Sequence, residues 1–203
     1  MQRLIAVVVV AVLFMSVPSA QSRKLTERAR QARTKPGTPP VVVGVFGDIA
    51  PWTLEQLTEH SDVVIDATLT QSESYIDSTD EAVFTDFTIV SHRVLKGTVP
   101  ERGRTPGAPV SPRLTMYGGE VMIDGVAVRA VSHNQRALRS GRYLLFLKPF
   151  GSEPARYQLV NGAAFELRGD VLTPTVYNAG KAYADFTTMP YASVAARITA
   201  LAR

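Results

Sequence analysis

Residues 113–132, RLTMYGGEVMIDGVAVRAVS, decide the fold class. Asp124-Gly125 sits between two apolar runs and is a hairpin signal, because both central positions of a type I′ turn need positive φ. The runs at 119–123 and 125–132 are therefore read as paired antiparallel strands. Gly118-Gly119 separates them from a third run at 113–117, and paired glycines inside strand-like sequence mark a bulge or a barrel bend. They form no phosphate cradle, since neither Lys-Ser/Thr nor a helix follows them.

The same reading extends in both directions. Runs at 62–74 and 83–95, rich in Val, Ile, Thr and Phe, are strands joined by the acidic hairpin loop 76–81. Tyr143 to Leu147 is apolar at every position, the pattern of a strand covered on both faces. Strands at 156–160 and 164–168 are expected around an Asn161-Gly162 turn, with a short last strand at 170–173. The connector 97–112, rich in Pro, Gly and Arg, is a surface loop. No helical pattern interrupts 76–186, so a parallel α/β sheet is excluded. Seven or eight short strands predict a mainly β fold, a small antiparallel OB-like β-barrel.

Helices flank the strands. Thr53 and Gln56 form a capping box, and Trp52 with Leu57 a hydrophobic staple, for a short N-terminal helix at 54–60. A C-terminal amphipathic helix within 187–203 follows from Tyr191, Val194, Ile198 and Leu201, with Pro190 suited to a first turn.

Composition bounds the remainder. The 203 residues, 45% hydrophobic and 20% charged, suit one globular domain with appendages and not a disordered polymer. The absence of cysteine excludes disulfides, thiolate metal sites and a thiol nucleophile. Residues 1–20 read as a signal peptide, with Arg3 before the apolar run 4–15 and small residues Ser16, Ser19 and Ala20 after it. That run is shorter than the roughly 20 residues of a membrane-spanning helix. Cleavage after Ser19 or Ser22 fits as well, and no stable membrane span is expected once it has occurred. Export without cysteine points to a bacterial periplasm or the extracellular medium. Residues 21–50 are expected as a basic linker, flexible or extended, with six basic groups against two acidic ones and four Pro/Gly residues at 36–40. The barrel domain is placed at 51–175 and a C-terminal extension with its helix at 176–203.

The net charge of +4 resides mostly in that linker, which argues against nucleic-acid binding. Within the barrel, residues 51–86 carry nine acids and no Lys or Arg, whereas the basic groups lie later. Pairing across neighbouring strands is the expected resolution.

The succession Thr53-Leu54-Glu55-Gln56-Leu57, Ser61-Asp62-Val63-Val64-Ile65, Val94-Leu95-Lys96-Gly97, Gly118-Gly119 and Gly141 to Leu147 resembles a group of exported bacterial proteins of unassigned biochemistry. The resemblance covers most of 53–203. It implies a five-stranded Greek-key core similar to tissue-inhibitor-of-metalloproteinase and netrin-like modules. The animal inhibitors present an N-terminal cysteine to a protease zinc, a mode this cysteine-free chain does not have.

No catalytic pattern emerges. His60, His92 and His133 stand singly, without His-Glu-x-x-His spacing, and no Gly-x-Ser-x-Gly elbow occurs. Asp77, Asp80 and Glu81 lack EF-hand spacing. No cofactor, metal or enzymatic activity is expected. The expected function is a binding module recognising a protein or cell-envelope partner through two loops. Those loops are represented by Tyr75, Asp77, Asp80 and Glu81 and by Lys96, Arg102 and Arg104. A protease-inhibitor-like module, by fold analogy, and a hydrolase with a site assembled from scattered residues are the alternatives.

Overall fold

The computed structural model describes residues 24–33, 41–45, 52–100, 111–177 and 183–203. In chain order these form α1 (Leu25–Arg33), β1 (Val41–Val45), α2 (Leu54–Glu59), β2 (Val63–Ile76), β3 (Val83–Lys96), β4 (Arg113–Tyr117) and β5 (Gly119–Ile123). There follow β6 (Val126–Ser132), β7 (Gly141–Pro149), β8 (Arg156–Arg168), β9 (Val171–Pro174), α3 (Ala184–Thr187) and α4 (Tyr191–Leu201). The segment read as a leader, 1–20, lies outside the described residues.

Strands β4-β3-β2-β7-β8 are hydrogen-bonded neighbours, and β4 returns to β8 to close a five-stranded barrel. The mainly β, OB-like architecture is thus present, with a short helix before the barrel and a helix at the C-terminal end. The closing seam is parallel and brief, Arg113 opposite Arg156 and Leu114 opposite Tyr157. Barrel strands must coil, and bulges supply the coiling: the β2/β3 register shifts at three places.

The alternation along each strand sorts two cores. Val63, Ile65, Ala67 and Leu69 of β2 meet Tyr143, Leu145 and Leu147 of β7, with Phe87, Ile89 and Leu114, inside the barrel. Val64, Leu144, Phe146 and Phe165 face outward and are covered by Leu54 and Leu57 of α2 and by Phe186, Val194 and Ile198 near the C-terminus. Strand β7 is therefore apolar on both faces, as read from its sequence. Each such buried side chain stabilises by about 1.5–3 kcal/mol relative to exposure. In α2 the capping box is formed: Gln56 N donates to Thr53 Oγ1 at 3.2 Å and Thr53 N to Gln56 Oε1 at 2.9 Å.

Four expectations are corrected. Residues 156–168 make one strand, not two: Leu145 pairs with Ala164 but Leu147 with Leu159, so 160–163 bulge out opposite Phe146. Asn161 (φ 47) and Gly162 (φ 67) do hold turn-like angles, but within that bulge. Val160 and Ala163 are buried in the outer core, so the extra residues pack instead of reversing the chain. Second, pairing is not wholly antiparallel, since β1 also runs parallel to β6.

Third, Leu25–Arg33 and Val41–Val45, within the stretch expected as a linker at 21–50, contribute to the fold. Helix α1 buries Leu25 and Ala29 against Ile123, Val128 and Ala130 of the β5–β6 hairpin, and β1 extends that hairpin into a three-stranded sheet. The basic composition concealed an amphipathic helix whose Glu27, Arg30 and Arg33 are exposed. Fourth, Leu201, read as part of the packed apolar stripe, is exposed, although the C-terminal helix itself lies within the expected range as Tyr191–Leu201, after the separate α3.

The segregated charges do pair on folding: Glu55 with Arg197, Asp66 with Arg142, and Asp86 with Arg113 and Arg156. The second holds the most buried carboxylate of these pairs. Asp66, 1% exposed, accepts from Arg142 Nε and Nη2 at 2.8 and 2.6 Å and from Tyr191 Oη at 2.8 Å, which ties α4 to the barrel wall. Burial alone would push its carboxyl upward, but the Arg142 and Tyr191 hydrogen bonds outweigh this and hold it below the ordinary range. Burial and the same carboxylate push the Tyr191 phenol up.

A depressed carboxyl stabilises the fold above its unfolded value, about 3.9, and that contribution vanishes as pH falls through the lower folded value. Asp66→Asn is expected to cost about 2–3 kcal/mol at neutral pH in urea unfolding. The gap to the parent should narrow as pH is lowered below about 4. A second expectation concerns Tyr183, whose hydroxyl is buried with no hydrogen-bond partner among the described residues, while its ring packs on Phe165 at 5.1 Å. Tyr183→Phe should leave stability unchanged or raise it by about 1 kcal/mol, measured the same way.

Candidate functional site

The site forms where β2 changes face. Thr70 pairs with Thr88 and Ser72 with Phe87, leaving Gln71 as an extra residue, held at φ 43. Before it, the odd-numbered residues of β2 point into the barrel. After it, Ser72 and Ser74 take over the inward face, because one inserted residue reverses the alternation. Thr85 and Phe87 of β3 are two apart and share that face.

Gly118 and Gly119 then carry the chain from β4 into β5 at φ 113 and 131, the bend expected from the sequence. Gly119 passes so close to the barrel that a Cβ there would lie 2.3 Å from Thr85 Oγ1 and 2.5 Å from Ser74 Oγ. Those hydroxyls bond to each other at 2.9 Å, and Thr85 Oγ1 donates to Gly118 O at 2.6 Å. The β5–β6 hairpin and the following segment cross the barrel end, bringing Arg129, Ser132, Arg136 and Leu138 over it.

Between these walls lies a cleft of about 420 Å³. Phe87, Met116 and Leu138, all packed in the barrel core, make its floor. Ser72, Ser74, Thr85 and Ser132 supply hydroxyls, and Glu120, Arg129, Arg136 and Tyr177 stand around it. The Arg136 guanidinium lies over the Tyr177 ring, 5.9 Å from its centroid. An apolar floor with a few convergent polar groups is the usual composition of a ligand site.

None of the described residues expected from the loops lines this cleft. Tyr75 belongs to a polar cluster on the barrel exterior, donating to Asp86 Oδ1 at 3.3 Å and accepting from Arg156, whose guanidinium also lies 5.0 Å from the Phe150 ring. Asp77 caps its own loop, accepting from Glu81 N and Ala82 N at 2.9 Å each and from the Thr79 hydroxyl. Burial would raise its carboxyl, but these donors together hold it below the ordinary range.

Asp80 caps α1: Thr26 N donates to its Oδ1 at 3.2 Å, the Thr26 hydroxyl to Oδ2, and Leu25 N to its carbonyl at 2.8 Å. Glu81 is exposed. Lys96 Nζ closes the end of α2 by donating to Thr58 O at 2.6 Å and Glu59 O at 3.2 Å, where a cation suits the helix dipole. Arg102 and Arg104 lie outside the described residues.

The histidines remain apart in role. His92 Nε2 meets Thr68 Oγ1 at 2.7 Å, and the His60 ring lies 4.8 Å from Trp52. His133 follows β6 on the crossing segment. No cluster of three or more His, Asp or Glu able to hold a metal occurs among the described residues.

No protein-family model matches the chain, and no curated protein matches it.

Sequence reading missed the cleft because its residues come from five strands and from connecting segments. One signal was present: the apolar alternation at 63, 65, 67 and 69 stops at Gln71. Left-handed backbone at a glutamine is strained by about 1–3 kcal/mol. Gln71→Gly should therefore stabilise the protein by about 1 kcal/mol in urea unfolding, provided the bulge is retained.

Proposed function

We propose that the chain is an exported, non-enzymatic module that binds a protein or cell-envelope partner at the barrel end, chiefly through the cleft. The observation that carries this is the cleft itself. At this end of the barrel the core residues Phe87, Met116 and Leu138 border open volume. Small barrels place ligands at their mouths for this geometric reason: the ends are where interior-facing positions reach solvent. Export is supported by the apolar run 4–15 behind Arg3 and by the cysteine-free composition. The resemblance of 53–203 to exported barrel proteins points the same way. Among the described residues no helix is long and apolar enough to cross a membrane.

The residues expected to act through loops enter this reading differently. Asp77, Asp80 and Lys96 are engaged in capping, which positions the β2–β3 hairpin, α1 and α2, so their part is structural support. Recognition is assigned to the cleft in their place.

The test compares two baits, the chain without residues 1–20 and its Ser72→Phe variant, in affinity capture from the envelope and medium of the source cells. Ser72 is exposed on a strand, so a bulky aromatic there fills the mouth without disturbing the core. A partner retained by the parent and lost with the variant is expected. The same partners on both baits would overturn the cleft as the recognition site, and turnover of ester or peptide substrates by the purified chain would overturn the non-enzymatic reading.

A further inference from the structure

The two arginines at the mouth differ from four others among the described residues. Arg113, Arg142, Arg156 and Arg197 all meet carboxylates. Arg129 and Arg136 make no ion pair among the described residues. Glu120 stands opposite Arg129 in the β5–β6 register without pairing with it. Arg136 is instead laid against the Tyr177 ring, which holds its guanidinium beside the cleft. The cleft is thus bordered by two cations that form no ion pair among the described residues and by one carboxylate, above a floor of Phe87, Met116 and Leu138.

Resting on the binding reading above, we propose that the mouth accepts a small amphipathic anion: an apolar chain or ring seated on the floor, its carboxylate or phosphate at Arg129 and Arg136. Both halves of such a molecule find what they lack in water. The apolar part leaves solvent against core side chains, and the anion meets guanidinium groups that bind planar carboxylates and phosphates with paired N–H donors. Ser72 and Ser132 supply further hydroxyl donors along the wall. The volume, about 420 Å³, lies within the range of small-molecule sites and is too small for a folded domain. Glu120 repels an anion, so it sets an upper bound on the charge the mouth accepts. A soluble single-chain amphiphile and a lipid extracted from a bilayer share this chemistry.

The experiment titrates the chain lacking residues 1–20 with dodecanoate, dodecyl phosphate and dodecyltrimethylammonium, each below its micelle concentration, by calorimetry. Sedimentation with phosphatidylglycerol vesicles distinguishes the lipid source from the soluble one. Both anions should bind, and the cation about tenfold or more weaker. Arg129→Gln and Arg136→Gln should each weaken the anions by about three- to tenfold, with little change for the cation. Glu120→Gln should tighten them by about threefold. Ser72→Phe should abolish binding, and Met116→Trp provides a second way of filling the mouth; unchanged far-ultraviolet circular dichroism and melting show that each has folded.

Equal affinity for anion and cation, or anion binding that survives both filled variants, overturns the proposal. Absence of binding by any amphiphile also overturns it. If the capture experiment still yields a partner lost with Ser72→Phe, that outcome assigns the mouth to a protein and the binding-module reading stands.

Discussion

The extra residue at Gln71 is the constraint on which the rest of the molecule depends. Up to Leu69, β2 presents Val63, Ile65, Ala67 and Leu69 to the barrel interior and forms the centre of the sheet, paired on one side with β3 and on the other with β7. Beyond Gln71 its partner on the β7 side has ended, and the strand continues as an arm paired with β3 out to Ile76. The change of parity places hydroxyls where the interior needs no more apolar volume. The arm then becomes a platform: Ile76 and Val83 pack with the β5–β6 hairpin and α1, and the space between arm and hairpin is the cleft. A regular strand would have presented Gln71 and Glu73 to the core side, a polar burden no hydrocarbon interior tolerates without partners.

Much of the barrel was legible because its signals are local. The Asp124-Gly125 turn has both residues at positive φ, 50 and 83. The Thr53–Gln56 capping box and the uniformly apolar Tyr143 to Leu147 each state their structural role within a few residues. Charge pairing across strands was also readable, since nine acids with no neighbouring bases must find partners from later in the chain. Helix α1 and β1 were obscured by composition: a run of arginines and nearby prolines has the signature of a tether, and only Leu25 and Ala29 betray the buried face.

Asn161-Gly162 failed for a different reason. Its backbone preference was read correctly, but whether left-handed residues reverse a chain or bulge it depends on what lies opposite, here Phe146, and that is tertiary information. The cleft escaped for the same reason. Acidic and basic loop residues resemble binding groups in sequence, yet Asp77, Asp80 and Lys96 satisfy backbone groups at a turn and two helix ends. The charges that stay available, Arg129, Arg136 and Glu120, sit on or after strands and carry no sequence mark that separates them from an ordinary solvated face.

The brevity of the parallel seam has a kinetic corollary. Four of the five junctions around the ring are long antiparallel ladders or stretches of five pairs, but β4 meets β8 through two. Ala155, at φ 60, leads into that seam, and its carbonyl accepts from Arg113 N at 2.8 Å. From outside, the Arg156 guanidinium clasps it, donating to Thr115 Oγ1 at 2.8 Å and Glu153 Oε1 at 2.6 Å. Spontaneous opening of the ring therefore starts here, like a cuff parting at its fastening, and amide protons of β4 would exchange with solvent ahead of those in β2.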